Sequence, residues 1–431
     1  MSTSSRIEAI VAEFEAAPAP RATERSLVLP ALPGKADVIV GMRRSGKTYR
    51  LWQEVRRLAE EGVGRDRVLL LTLEDEQLAG LQATDLHLIT EAFERRHPGK
   101  GLVHYLFDEI QNVPGWETFV RRLLDERASR LVVTGSSSRL LSSEIATSLR
   151  GRSLSSELLP FSFAESLRHQ GIEPPKSLPP PSRHRARLEQ ALLRYLDVGG
   201  FPEVQELEDQ LRSRILRDYV DVALLRDVVE RQQIGNIGAL RYVLRALLAN
   251  SARPFSIHRI HNDLKSQGIA VSKNTVHAFL AHLQDAFLLF AVSVDDESLR
   301  VRQVNPRKVY AIDPGVARLF ARDDRDLGFR LETVVYLELR RRGFDVSYGR
   351  YEDGYEVDFV ARRSNEILLI QVCASLRERA TKERELRGLE PAAQRHRMAE
   401  AMVVTLHEQG EEKVRNRRVR VIPAWQFLLG E

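Results

Sequence analysis

Gly41-Met42-Arg43-Arg44-Ser45-Gly46-Lys47-Thr48 is a stretch whose residue types and spacing suit a phosphate chain. Its two bounding glycines let a loop curl until successive backbone N–H groups face one centre. A helix opening at the end of that loop adds partial positive charge to the same centre. Lys47 is then placed for β- and γ-phosphates, and the Thr48 hydroxyl for Mg²⁺. With Arg43, Arg44, Ser45 and Tyr49 these residues form the expected contacts of a nucleoside triphosphate, ATP with Mg²⁺. A second pair, Asp108-Glu109, closes the apolar run Leu102-Val103-His104-Tyr105-Leu106-Phe107. There Asp108 would hold Mg²⁺ through its water shell, and Glu109 would orient and deprotonate an attacking water.

Such a site needs strands that end where the chemistry begins. Ala36 to Val40 supplies an apolar strand before the loop, and Tyr49 to Val55 a helix after it. Val68 to Leu73 is a continuous apolar run of the kind buried on both sheet faces. Leu86, Ile89 and Phe93 mark a helix face ahead of the run that ends in Asp108. Pro114 suits the start of a helix from Trp116 to Glu126. The next strand, Arg130 to Thr134, ends in Gly135-Ser136-Ser137-Ser138. Ser136 there could sense a γ-phosphate or be ordinary loop chemistry. Strands alternating with helices predict a parallel sheet covered on both faces, with its ligand at the carboxyl ends of the strands. Leu149-Arg150-Gly151-Arg152 sets two guanidinium groups beside a glycine, either as arginines offered to a neighbour's γ-phosphate or as a surface basic pair.

The totals bound the class. At 431 residues the chain suggests two to four domains. Lys+Arg number 65 against 60 Asp+Glu, a net charge of +5 that is too weak to establish a nucleic-acid partner. Cys373 is the single cysteine, which excludes an intrachain disulfide and fits a reducing cytosol. No signal core and no long apolar run is present, so a cytoplasmic chain without a membrane partner is expected. A helix from Ile7 to Ala17 precedes Pro18-Ala19-Pro20.

Beyond the core, residues 173 to 184 are proline-rich and read as an exposed connection. A helical block runs from about Arg185 to Asn250, broken by Val198-Gly199-Gly200-Phe201-Pro202. Ser256 to Leu264, a turn at Gln267-Gly268, and Ser272 to Leu289 have the pattern of a helix-turn-helix. Phe287 to Val292 and Arg307 to Asp313 would supply the strands of a wing. Lys273, Asn274 and His277 are then candidate DNA contacts, although such modules also bind proteins. The last segment begins near Asp326 with Leu331 to Leu339 as an amphipathic helix. Strands follow at Asp345 to Gly349, Tyr355 to Ala361 (after a turn at Asp353-Gly354) and Ile367 to Cys373. Glu332, Asp358 and position 371 converging would make a metal-dependent nuclease site. Gln371 is a weak Mg²⁺ ligand, and Cys373 stands where a lysine would activate water, so the fold is expected with its chemistry lost.

Taken together, these stretches resemble the large prokaryotic family of AAA-type (archaeal-ATPase-like) P-loop ATPases with a C-terminal domain of uncharacterised function. The matching residues are the loop Gly41 to Thr48, Phe107-Asp108-Glu109-Ile110-Gln111, Thr134 to Ser138, Leu149 to Arg152, Pro160-Phe161-Ser162-Phe163, Gly199 to Pro202, Glu356 to Phe359 and Gln371 to Cys373. The resemblance implies an α/β fold: a parallel-sheet P-loop AAA-type core, a helical and winged-helix region, and a small α/β restriction-endonuclease-like domain. The expected spans are an N-terminal arm at 1–21, the core at 22–170, a linker at 171–184, a helical lid at 185–250, a winged helix at 251–325 and the endonuclease-like domain at 326–431. It also makes Arg150 and Arg152 better candidates for arginines acting between subunits. The implied activity is Mg²⁺-dependent ATP hydrolysis in a homo-oligomer, a ring of hexamer type among the forms, coupled to binding or remodelling DNA. Arginine-rich stretches at Arg43-Arg44, Arg340-Arg341-Arg342 and Arg415 to Arg420 point the same way. The alternatives are a switch that binds protein partners and an ATPase-coupled nuclease.

Overall fold

The computed structural model describes residues 2–430 apart from 100, 126–128, 138–148, 176, 305, 322–326 and 352–353. Ser138, the helix end at Glu126, the domain start at Asp326 and the turn residue Asp353 lie outside the described residues. The chain forms two compact units, Met1–Leu158 and Leu159–Glu431.

The first unit is built on a five-stranded sheet. Helix α1 (Thr3–Ala16) is capped by the Ser2 side chain and lies against the sheet through Ile7, Ile10, Val11 and Phe14. Strand β1 (Ala36–Val40) is followed by α2 (Lys47–Glu60), β2 (Val68–Thr72), α3 (His87–Arg96), β3 (Val103–Asp108), α4 (Trp116–Asp125), β4 (Ser129–Gly135) and β5 (Ser153–Glu157). The order is β2-β3-β4-β1-β5 with every pairing parallel. All five residues of β1 are buried, as a strand covered on both faces requires. Registers Val40↔Gly135, Phe107↔Val133 and Thr72↔Asp108 bring the carboxyl ends of β1, β3 and β4 to one edge. Strand β5 is absent from the sequence expectation. Its Ser-Leu-Ser-Ser-Glu is half exposed at the sheet edge and has no apolar run to betray it.

The second unit begins with Pro160-Phe161, held by its own helices. Tyr195 donates to Phe161 O at 2.7 Å, and Phe161 N donates to Gly200 O at 2.7 Å. Helix α5 (Phe163–His169) starts on a capping box between Ser162 and Glu165. Helices α6 (Ser182–Val198) and α7 (Asp209–Val222) follow, the latter running into a π-helical stretch (Ala223–Glu230) before α8 (Ile237–Leu248). Next come β6 (Pro254–Phe255), α9 (Ile257–Ser266), α10 (Lys273–Asp285), β7 (Leu289–Val292), α11 (Leu299–Val304) and β8 (Arg307–Ala311). Their strands pair antiparallel in the order β6-β8-β7. Ser272 caps α10 through Thr275 N, and the helix stops at Asp285, short of the expected Leu289, which opens β7.

Helices α12 (Pro314–Phe320) and α13 (Leu327–Arg341) lead into β9 (Asp345–Arg350), β10 (Glu356–Arg363) and β11 (Glu366–Val372). The unit closes with α14 (Arg379–Arg395), β12 (Glu400–Thr405), β13 (Gly410–Val414), β14 (Arg417–Pro423) and α15 (Ala424–Leu429). The six strands lie in the order β13-β14-β12-β11-β10-β9. Helix α13 corrects the amphipathic expectation. Every residue from Arg330 to Leu339 is buried, because the helix is packed between β9, β10 and β11 on one side and α6, α12 and α15 on the others.

The Gly199-Gly200 break in the helical block is a junction. Asp313 Oδ2 accepts Gly200 N at 2.5 Å, and Oδ1 accepts Gly315 N and Val316 N at 2.8 and 3.1 Å. A Cβ on Gly200 would lie 2.3 Å from Phe161 O, so only glycine lets these segments meet.

Candidate nucleotide site

The loop between β1 and α2 turns through left-handed conformations at Arg44 (φ 67°) and Gly46 (φ 99°). A Cβ at Gly41 would lie 2.2 Å from Leu158 O, which forces the loop to start with glycine. Gly46 offers α2 no side-chain cap, so the first-turn N–H groups face outward. Ser45 Oγ is buried without a hydrogen-bond partner among the described atoms. Orphaned donors around a positive helix end suit a polyanion.

Lys47 Nζ donates to Gly41 O at 3.0 Å and Met42 O at 3.3 Å, and lies 3.0 Å from Glu109 Oε1. Thr48 Oγ1 donates to Asp108 Oδ2 at 2.6 Å. Across the sheet the Thr134 hydroxyl donates to Asp108 Oδ1 and accepts Glu109 N at 3.0 Å. Glu109 sits at φ 52°, a left-handed turn that points its carboxylate back to the loop. Burial, then the neighbouring Glu109 charge, raise the Asp108 carboxyl above its usual range. Burial pushes Glu109 upward too, but the Lys47 ammonium and the Gln111 amide outweigh it and hold the carboxyl low. A hydroxyl and a carboxylate oxygen this close, with a lysine beside them, fit Mg²⁺ and the phosphates of ATP.

Gln111 and Thr134 fall in the stretches matched to the family, but the sequence assigned them no role. Gln111 Nε2 donates to Glu109 Oε2 and reaches Ser136 Oγ at 3.4 Å, so the fully buried Ser136 is one residue removed from Glu109. Arg25, also unforeseen, donates to Ser45 O at 2.6 Å, and its backbone is paired in both directions with Gln53. Arg43 is tied to Glu74 at 2.6 Å, whereas Arg44 is exposed and Tyr49 half exposed.

Arg152 O accepts Ala36 N at 2.9 Å, at the amino end of β1. At about 3.3 Å per residue the phosphate loop lies roughly 15 Å further on. Arg150 is in the preceding turn at φ 51°, and the Arg152 guanidinium pairs with Asp125. Both arginines stand at the far end of the sheet from their own loop.

The second unit holds the other expected cluster in altered form. Glu332 and Asp358 do converge, but on the buried Lys308, whose Nζ is 3.0 Å from each. Gln371 points elsewhere: Oε1 accepts Asp358 N at 2.7 Å and Nε2 donates to Glu385 Oε2 at 2.7 Å. Cys373 is buried, and burial pushes its thiol up to about 12. On α10, Lys273, Asn274 and His277 are exposed on one face. Burial, then the Arg307 and Lys273 charges, lower the His277 pKa, which sets these basic groups together.

Of the arginine-rich stretches, Arg340 to Arg342 are used inside the fold. Arg340 stacks on Phe290, Arg341 donates to Pro160 O at 3.0 Å, and Arg342 to Glu338 at 2.8 Å. Arg415, Arg418 and Arg420 pair with Glu390, Glu411 and Glu400, and Arg417 binds backbone carbonyls. Arg415, Arg418 and Arg420 nonetheless face solvent, with side chains 67%, 79% and 47% exposed. Among the described residues no helix is long and apolar enough to cross a membrane.

A parallel sheet with a glycine-bounded phosphate loop at the end of β1 and a carboxylate pair at the end of β3 defines a P-loop ATPase domain. The AAA domain family model matches residues 34–167, and two domains of unknown function, DUF8612 and DUF4143, match residues 189–326 and 327–427. An uncharacterized protein of Methanocaldococcus jannaschii is 34% identical over 98% of this chain and 94% of its own. An uncharacterized protein of Haemophilus influenzae is 30% identical over 79% of this chain and 83% of its own. The chain belongs to their family, one that joins an AAA-type ATPase domain to two domains of unknown function. Among solved structures, the Walker-type ATPase of Pyrococcus abyssi is 15% identical, with a TM-score of 0.41 over 74% of this chain and 94% of that one. The Aeropyrum pernix ORC1 protein, solved in complex with DNA, is 15% identical with a TM-score of 0.30 over 74% and 91%. Superpositions this loose carry no functional argument.

Proposed function

We propose that the chain is a Mg²⁺-dependent ATPase of AAA type that acts as a homo-oligomer on DNA. One observation carries the ATPase reading: Thr48 Oγ1 and Asp108 Oδ2 lie 2.6 Å apart beside Lys47. The first-turn amides of α2 and Lys47 hold the phosphate chain, and Thr48 and Asp108 hold Mg²⁺. The ion, when bound, offsets phosphate charge. Glu109, kept ionised, orients a water and accepts its proton, while Gln111 and Ser136 fix where its carboxylate points. Arg150 and Arg152, too far from their own loop, serve the site of a neighbouring subunit. Phosphate release by wild type should require Mg²⁺ and vanish in Lys47→Ala. Turnover that persists without either overturns the assignment.

The DNA reading rests on the α10 face, where Lys273, Asn274 and His277 lie near Arg307. We assign residues 251–325 to a winged helix and 326–431 to a restriction-endonuclease-like domain without cutting activity. The internal use of Arg340 to Arg342 favours a second reading, a nucleotide-dependent switch that binds protein. DNA-stimulated turnover supports the first, and DNA-indifferent turnover the second.

A further inference from the structure

The C-terminal cleft, of about 660 Å³, is lined by Glu332, Glu356, Asp358, Gln371, Cys373 and Glu385. So many acids around one cleft call for a cation, since unpaired buried carboxylates cost several kcal/mol each. The chain supplies several: Arg377 and Arg384 line the cleft, Arg384 meeting Glu385 at 2.6 Å, and Lys308 meets Glu332, Glu356 and Asp358. Lys308 Nζ lies 3.0 Å from Glu332 Oε1, 2.6 Å from Glu356 Oε1 and 3.0 Å from Asp358 Oδ1, and its side chain is 3% exposed.

An ammonium has three N–H donors. Glu332 and Asp358 accept hydrogen bonds from Lys308, and Glu356 lies against the ammonium as an ion pair, so three carboxylates surround it and leave it little to offer a substrate. The remaining bonds lock the acids in place. Tyr310 donates to Glu332 Oε1 at 2.7 Å, and Val372 N donates to Asp358 Oδ2 at 2.9 Å. The lysine stands on β8, in the three-stranded sheet, while the acids stand on α13 and β10. Its positive charge therefore comes from outside the sheet that bears the cleft.

Oxygens 2.6–3.0 Å from a common point are a few tenths of an ångström too far for a divalent ion, which takes them at about 2.0–2.6 Å. Small side-chain shifts would close that gap if the ammonium were gone. We propose that Glu332, Glu356 and Asp358 form a cation site whose resident cation is the Lys308 ammonium, which holds divalent metal ions out of the cleft. This inference goes beyond the ATPase reading and stands without it.

The test uses the full chain, Mn²⁺ as the probe, and Lys308→Met, which keeps side-chain length but not charge. Lys308→Met should bind one more Mn²⁺ per chain than wild type, by spin-resonance titration, and should melt several degrees higher with Mn²⁺ than without. That extra site should be lost in Lys308→Met/Glu332→Gln. Comparison with wild type subtracts any ion held at the phosphate loop. A Lys308→Met protein with no added site and no thermal gain overturns the proposal, as does wild-type Mn²⁺ binding abolished by Glu332→Gln. Should Lys308→Met be insoluble, Mn²⁺ added during refolding is expected to recover it. Failure to recover it while the double variant is soluble also overturns the proposal.

Discussion

The Thr48 hydroxyl donates to Asp108 Oδ2 at 2.6 Å, joining the first turn of α2 to the last residue of β3. Residues 60 positions apart in sequence meet because β1 and β3 both flank β4 in register, with their carboxyl ends level. The groups proposed to hold phosphate and metal are thereby set together at the carboxyl ends of the strands.

Thr134 ties this pair to Glu109, since one hydroxyl serves Asp108 and the Glu109 backbone. Thr134→Val keeps the shape and removes both bonds. Loss of a buried partner costs about 1–3 kcal/mol, so turnover should fall roughly 5- to 160-fold. Nucleotide affinity, measured by fluorescent-analogue titration, should change far less. Unaltered turnover would remove Thr134 from the machinery.

Arg150 and Arg152 should act across subunits. Arg152→Ala should lose turnover in the assembled protein, and mixing it with Lys47→Ala subunits should restore part of the rate. The restored sites pair an intact loop on one chain with an intact arginine on its neighbour. Equal loss in dilute, monomeric protein, with no rescue on mixing, would argue against action across an interface.

Asp313 makes stability depend on pH. Burial raises its carboxyl to about 6, against backbone N–H bonds from Gly200, Val316 and Gly315 that lower it. An acid with a folded pKa above its unfolded value binds more protons when folded. Stability from this group is therefore full below about 4 and falls as pH rises to about 6, by order of 2–3 kcal/mol. Asp313→Asn should flatten that segment of a denaturation-midpoint profile. An unchanged slope would assign the pH dependence elsewhere.

For the α10 face, Lys273→Ala and His277→Ala should weaken DNA binding about uniformly across sequences. Lys273→Ala should also reduce the salt slope by about one. Filter binding across a salt series reads both. Affinity and slope equal to wild type would favour the protein-binding alternative.

Strands β1 to β4 were legible because burial on both faces demands apolar runs, and the loop because its glycines and lysine leave few alternatives. Strand β5 was not, since an edge strand needs no such run. Thr134 was hidden as a hydroxyl within Leu-Val-Val-Thr, where β propensity alone accounts for it. Lys308 was hidden for a different reason. Its partners lie on separate elements, and a lysine inside a strand carries no local sign that three carboxylates surround it. Gln371 and Cys373 led to the expectation of lost nuclease chemistry from the missing ligands alone; the cation in their neighbourhood became visible only in three dimensions. Arg340 to Arg342 turn inward to Phe290, Pro160 O and Glu338 while Arg415, Arg418 and Arg420 stay exposed, a difference that composition alone does not carry.

The most direct test of the nucleotide pocket is a paired measurement of ATP binding and phosphate release in Glu109→Gln. With the loop, Thr48 and Asp108 intact, ATP should bind about as in wild type. Hydrolysis should fall by about 10²- to 10⁴-fold through loss of the base. Turnover at the wild-type rate, or ATP affinity lost along with activity, would contradict the assignment of Glu109 and the pocket built around it.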